Sequence, residues 1–130
     1  MAMRPESKFW EYLRNRLPGH TVRAENTAGN GMPDVTACWQ GKDIWIELKV
    51  FGAGEWSKIR KEQRIWGLQR AGEGGKVFIV ALCPDDNIRV WKFPDIVFEK
   101  YDDKYQRIMS TCHFSEHKFE INKLVEYLYA

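Results

Sequence analysis

The chain has 130 residues, of which 44% are hydrophobic and 14% aromatic. That suits one domain with a buried core and excludes the aromatic-poor composition of a disordered chain. The formal net charge is only +2, so overall charge does not mark the chain as a nucleic-acid binder. The charges are unevenly spread. Residues 1–23 and 56–76 are rich in Lys and Arg, and residues 84–104 are rich in Asp and Glu. A basic half gives one face suited to phosphate. The competing reading is a surface charged only for solubility.

The elements follow in chain order. Residues 5–17 read as a helix, with Pro5 suited to its first turn and Phe9, Trp10, Leu13 and Leu17 on one face. Pro18-Gly19 ends it, and residues 20–25 read as a short strand. A Gly- and Asn-containing loop, 26–31, follows. Asp34–Trp39 and Ile44–Val50 read as strands joined by a turn over Gln40, Gly41, Lys42 and Asp43. Ser57 is placed to cap a helix running to about Arg70, closed by Gly72, Gly74 and Gly75. Lys76–Leu82 is apolar enough to be a strand buried on both faces, and Ile88–Phe93 reads as another. After Pro94 a helix is expected to about Tyr105, and Phe119–Tyr129 reads as a last helix. This order predicts a mixed α/β sheet flanked by helices, in a single domain spanning 1–130.

Three cysteines, Cys38, Cys83 and Cys112, are too few and too scattered for a disulfide framework, which points to a reducing compartment. The first ten residues lack the apolar core of a signal peptide, and no apolar run approaches membrane-spanning length. The expectation is a soluble, cytoplasmic protein without a membrane partner.

The stretch from Met32-Pro33-Asp34 to Glu47-Leu48-Lys49 carries the chemistry. Alternation in a strand puts Ile44, Ile46, Leu48 and Val50 on one face and Trp45, Glu47 and Lys49 on the other. A carboxylate and an ammonium thus project from the middle of an apolar strand, where charges are rarely placed without a partner or a metal. A hairpin partner brings Asp34 near Glu47. Two converging carboxylates repel, and a divalent cation removes that cost. Mg²⁺ takes oxygen ligands and keeps several waters, so two carboxylates suffice. Such a site activates water against phosphorus, with Lys49 placed to steady the developing charge. The plain alternative is a surface Glu–Lys pair and an ordinary Pro-Asp turn. Glu6 precedes Phe9 and Trp10 by three and four residues, so it lies on the inward face of the first helix.

These residues resemble the PD-(D/E)XK nucleases, and among them the small virus-type replication–repair nucleases and Holliday junction resolvases. The matching elements are Glu6-Ser7-Lys8-Phe9-Trp10, Arg23-Ala24-Glu25-Asn26, Gly31-Met32-Pro33-Asp34, Glu47-Leu48-Lys49 and Gln63. They span about residues 5–82, while 83–130 match nothing in the family and are expected to complete the fold. The resemblance implies a restriction-endonuclease-like core: a helix, a three-stranded meander, a helix and a strand. It implies Mg²⁺ or Mn²⁺ held by Asp34, Glu47 and the Leu48 carbonyl, and Lys49 assisting the attacking water. It also implies a supplementary metal-site role for Glu6, against the alternative of a first-turn acid serving the helix dipole. Gln63 resembles a helix position that relatives use near the active site, against the alternative of a solvent-exposed residue.

Lys58, Arg60, Lys61 and Arg64 are placed to contact phosphates, or are simply solvated. Glu25 has a supporting role available from the neighbouring strand, but a plain surface role is the more natural reading. The resemblance further implies a metal-dependent endonuclease acting on branched DNA, such as four-way junctions, as a homodimer. The rival readings are a general or end-processing nuclease and a non-catalytic nucleic-acid-binding protein of the same fold. Cys112, His113 and His117 invite a zinc reading, with both histidines on one helix face. Adjacent Cys and His are poor ligand spacing, and no fourth ligand is evident.

Overall fold

A computed structural model describes residues 4–24, 30–52 and 58–130. Helix α1, Pro5–Arg14, opens with proline, where a missing N–H costs nothing. It buries Phe9, Trp10 and Leu13. Strands β1, His20–Arg23, β2, Val35–Trp39, and β3, Lys42–Val50, form an antiparallel meander. The β2–β3 turn is narrower than expected. Gln40 and Gly41 alone occupy it, at φ 51° and 77°, and Trp39 pairs directly with Lys42. Two consecutive left-handed residues match the twist of the flanking strands, so β3 starts two residues early.

Strand β4, Lys58–Arg60, leads into helix α2, Lys61–Gly72, which returns the chain to β5, Val77–Leu82, parallel to β3. The meander, helix and strand anticipated from sequence are therefore present. The expected capping residue, Ser57, lies outside the described residues, and the residue at the cap position is Arg60. Strand β6, Asn87–Lys92, pairs with β5, and β9, Phe114–His117, pairs with β6. The main sheet runs β1-β2-β3-β5-β6-β9.

The helix expected after Pro94 is absent. In its place stand β7, Phe98–Lys100, and β8, Tyr105–Ile108, which join β4 in a second sheet ordered β4-β8-β7. The Asp102 carboxylate accepts the Lys104 and Tyr105 N–H groups at 2.7 and 2.8 Å, fixing a turn where a helix would continue. Beyond it the chain alternates, with Gln106 and Ile108 inside and Tyr105 and Arg107 outside. The last helix is also shorter than expected. A 3₁₀ turn, Lys118–Glu120, precedes α3, Leu124–Leu128. The Glu116 carboxylate takes the N–H groups of Asn122, Lys123 and Leu124, so the helix begins there.

Two apolar cores sandwich the main sheet. One face packs Ile44, Ile46, Leu48, Phe78 and Val80 against α1 and α3. The other packs Val77, Ile79 and Ala81 with Ile59, Trp91, Phe93 and Ile108, beneath α2 and the small sheet. Gly67 lets α2 approach this second core. A β-carbon there would stand 2.5 Å from the Phe93 ring. Gly67→Ala gains about 1 kcal/mol of helix propensity but overpacks the core at a cost of about 1–3 kcal/mol. Overpacking wins, so thermal unfolding of G67A should occur several degrees below wild type, and adding Phe93→Leu should restore part of the loss. An unchanged or raised Tm for G67A would refute this contact.

Candidate active site

The site is built where β2 begins. The Val35–Ile46 pair is the first of the β2–β3 ladder. Trp45 and Phe51 send their N–H groups to Lys76 and Leu82 on the β5 side. Alternation then turns the N–H and carbonyl of Leu48 toward β2. Continuing the register would set Pro33 opposite Leu48, and proline has no N–H to give. The Asp34 carboxylate takes over half of this missing pair, accepting the Leu48 N–H at 3.0 Å. The Leu48 carbonyl is left without a strand partner on that side among the described residues. Asp34 is thereby held rigidly beside β3, and Pro-Asp acquires a structural meaning.

Glu47 and Lys49 project from the opposite face of β3 to Leu48, as alternation requires. Glu47 is only 6% exposed. Its Oε1 accepts a 2.6 Å hydrogen bond from Gln63 Nε2, and Lys49 Nζ stands 3.8 Å from the same oxygen. Its other oxygen, Oε2, is buried with no hydrogen-bond partner. Burial, followed by the negative charge of Asp34, pushes the Glu47 pKa up to about 8, with Lys49 pulling the other way. Gln63 does two jobs. Its Oε1 accepts the Arg60 N–H at 2.9 Å, satisfying a donor at the start of α2, while its amide N–H₂ group holds Glu47.

These groups share one cavity of about 370 Å³, lined by Arg4, Glu6, Arg23, Gly31, Met32, Asp34, Glu47, Leu48, Lys49, Arg60 and Gln63. Glu6, Asp34, Glu47, Leu48, Lys49 and Gln63, separated by up to 57 positions in the chain, are thus brought together. Glu6 does not close up on the other acids. Among the described residues no three carboxylate, imidazole or thiol side chains cluster tightly enough to hold an ion by themselves. The expected phosphate-contacting cations divide. Arg60 lines the cavity. Lys58 lies 4.1 Å over the Tyr101 ring. Lys61 is exposed at the start of α2, and Arg64 is half-buried, its Nε buried without a partner.

Sequence reasoning did not single out Arg4 and Arg23 as site residues, although both lie in the basic N-terminal stretch. Arg23 is held by its 3.0 Å hydrogen bond to Ser7 Oγ, which ties β1 to α1 at the cavity. Gly31 was visible only as part of a motif. It sits at φ 83°, and a β-carbon there would fall 2.1 Å from the Glu62 carbonyl oxygen. Only glycine lets this loop pack on the first turn of α2 and keep Asp34 in step with Gln63. Glu25 lies outside the described residues. The histidines considered for zinc are not on a helix. His117 is in β9 and accepts the Phe119 N–H, and His113 precedes that strand and accepts the Lys92 N–H.

No family model and no curated protein matches the sequence. No helix among the described residues is long and apolar enough to cross a membrane. Among solved structures, the chain is similar to Hjc of Archaeoglobus fulgidus, a Holliday junction resolvase from an archaeal hyperthermophile. The two superpose with a TM-score of 0.64 at 15% identity, over 96% of this chain and 96% of that one. At that identity the likeness is one of architecture, and the fold of this chain is the mixed α/β, restriction-endonuclease-like fold of Hjc.

Proposed function

We propose that the chain is a metal-dependent endonuclease of the PD-(D/E)XK type that hydrolyses DNA phosphodiester bonds, with a preference for branched DNA such as four-way junctions. The observation that carries this reading is the buried, unpartnered Glu47 Oε2 beside Asp34 and Lys49. A buried carboxylate oxygen without a partner is costly in a purely structural role. A divalent cation of the Mg²⁺ or Mn²⁺ type fits this donor set. It would be held by Asp34, Glu47 and the Leu48 carbonyl, with Glu6 supplementing them and waters completing its shell. Bound there, it supplies Lewis acidity, offsetting charge on the phosphate and making water a better nucleophile.

The chain's own residues do the rest. Asp34, fixed by the Leu48 N–H, and Glu47, fixed by Gln63, define a rigid pair of acceptors. Lys49 donates to oxygens that gain negative charge and orients the attacking water. Gln63 keeps the carboxylate from rotating away. Arg4, Arg23 and Arg60 offer positive charge to the scissile backbone from the cavity walls. Lys58, Lys61 and Arg64 extend that role along the bound nucleic acid.

The branch preference is supported by the shared architecture with Hjc across nearly the whole of both chains. A symmetric junction calls for two paired cuts, which motivates a homodimer. Residues 83–130 supply β6 and β9 of the main sheet and β7 and β8 of the small one, consistent with one nuclease domain rather than two.

The decisive experiment is cleavage of labelled four-way junction, flap, single-stranded and linear duplex DNA in Mg²⁺, Mn²⁺ or EDTA. Wild type should cut only with metal and fastest at the junction. Glu47→Ala should fall to background, and Lys49→Ala should lose on the order of 10²–10³ in kcat. Equal rates on linear duplex and junction would favour a general nuclease, and binding without any cutting would favour a non-catalytic module.

A second outcome concerns stability. The folded chain holds the Glu47 proton more tightly than the unfolded chain, whose ordinary value lies near 4.5. That contribution is fully present below pH 4.5 and is lost as pH rises through about 8, by on the order of a few kcal/mol. In EDTA, Glu47→Gln should therefore gain on wild type in thermal unfolding between pH 5 and pH 9. Mg²⁺ or Mn²⁺ at pH 8 should then raise the Tm of wild type and leave the variant unmoved. Parallel pH profiles for the two proteins would show that Glu47 is not under this strain.

A further inference from the structure

The small sheet presents an outer face that the proposed cleavage site does not use. Residues opposite one another in an antiparallel pair share a face. Register places Arg60 beside Tyr105, and Lys58 beside Arg107 and then Glu99. The buried partners Ile59, Gln106 and Ile108 point the other way, into the core. Tyr101, 51% exposed, reaches back over this face, with Lys58 Nζ 4.1 Å from its ring, and Tyr105 is 36% exposed.

The face is therefore a stripe of two open aromatic rings among Lys58, Arg60 and Arg107, with Glu99 as the opposing acid, 3.8 Å from Arg107. The other acids are turned to different work. Asp102 is locked in the β7–β8 turn by backbone N–H groups, and Asp103 pairs with Lys100 at 3.4 Å. Arg60 belongs both to this stripe and to the wall of the catalytic cavity. The stripe thus begins at the site and leads away from it.

We propose that this face holds an unpaired DNA strand running from the cleavage site, with bases stacked on Tyr101 and Tyr105 and phosphates on Lys58, Arg60 and Arg107. The inference rests on the nuclease reading and deepens it by naming where a strand left unpaired at a branch would lie. Flat rings accept any base, and flanking cations follow the backbone, which is how sequence-independent single-strand surfaces work. A duplex keeps its bases stacked inside and offers such rings nothing to bind. Charge complementarity and continuity with the cavity through Arg60 select a polyanion with exposed base faces as the occupant.

The test measures binding by anisotropy in EDTA, so that it does not depend on cleavage. The probes are a blunt duplex and the same duplex carrying a ten-nucleotide single-stranded tail (about the reach of such a surface). Wild type should bind the tailed probe more tightly. Tyr101→Ala, Tyr105→Ala and Arg107→Glu should each weaken that probe roughly tenfold and leave the blunt duplex unchanged, with Tm within a few degrees of wild type. Tailed and blunt probes weakened alike would overturn the unpaired-strand assignment, since the face would then serve duplex. Variants that bind both probes as wild type does would overturn it while leaving the nuclease reading intact. If Tyr105→Ala unfolds, Tyr101→Ala, on a more exposed side chain, decides. Wild type binding neither probe in EDTA would overturn the assignment of this face, and cutting of the junction in Mg²⁺ decides the nuclease reading separately.

Discussion

The Glu47 carboxylate is buried, and the described residues give one of its oxygens a donor and leave the other without one. A hydrophobic side chain at this position of β3 would pack between the sheet and α2 at no such cost. The neighbours are arranged around that carboxylate. Gln63 reaches it from α2, Lys49 shares its face two residues on, and Asp34 adds a second negative charge from the start of β2. Burial, and then the charge of Asp34, push its pKa upward, in the direction expected of a carboxylate held without enough donors. An arrangement that raises the free energy of the empty site is one that rewards a bound cation.

The sheet determines where that strain can be concentrated. β3 and β5 lie at its centre with apolar cores on both faces, so side chains there have little freedom to relax. Asp34, Glu47 and Lys49 sit at the end of the sheet, where the pairing with β2 has stopped and β3 continues. A proline at position 33 ends the ladder, the Asp34 side chain replaces a backbone acceptor, and the Leu48 carbonyl is left open. Gly31 then lets the incoming loop lie on the first turn of α2, so that the two elements carrying Asp34 and Gln63 are held to each other. Substitution at Gly31 would act on chemistry through position rather than contact.

The central meander was legible because its signals are local. Alternation in β3 assigns each residue to a face without knowledge of the rest of the chain, and apolar β5 leaves no alternative to a buried strand. The convergence of Asp34 and Glu47 follows from one hairpin. The small sheet was not legible. β4 and β7 have three residues each, too few to show a period, and β4 pairs with β8 across more than forty residues. The run of Asp, Glu and Lys after Pro94 reads as a solvated helix until the Asp102 turn is seen. Gln63 was not legible as a partner of Glu47, because that contact depends on the angle at which α2 meets β3. The start of α2 was obscured for a related reason: Arg60 is no capping residue, and its N–H is satisfied by Gln63 instead.

The cavity's electrostatics follow from the same construction. With all three acids ionised, its lining sets Arg4, Arg23, Lys49 and Arg60 against Glu6, Asp34 and Glu47, nearly a balance. A balanced cavity has little pull on a polyanion, however basic its rim. A dication bound there would tip the lining decisively positive in a partly desolvated space, where charge counts for more than in water. The modest overall charge of the chain is then no argument against a nucleic-acid substrate. The field that matters is local, and it is set by the same buried carboxylates that make the empty site unfavourable. On the proposed reading, stability given up at Glu47 and attraction gained for phosphate are two consequences of placing acids where the sheet ends.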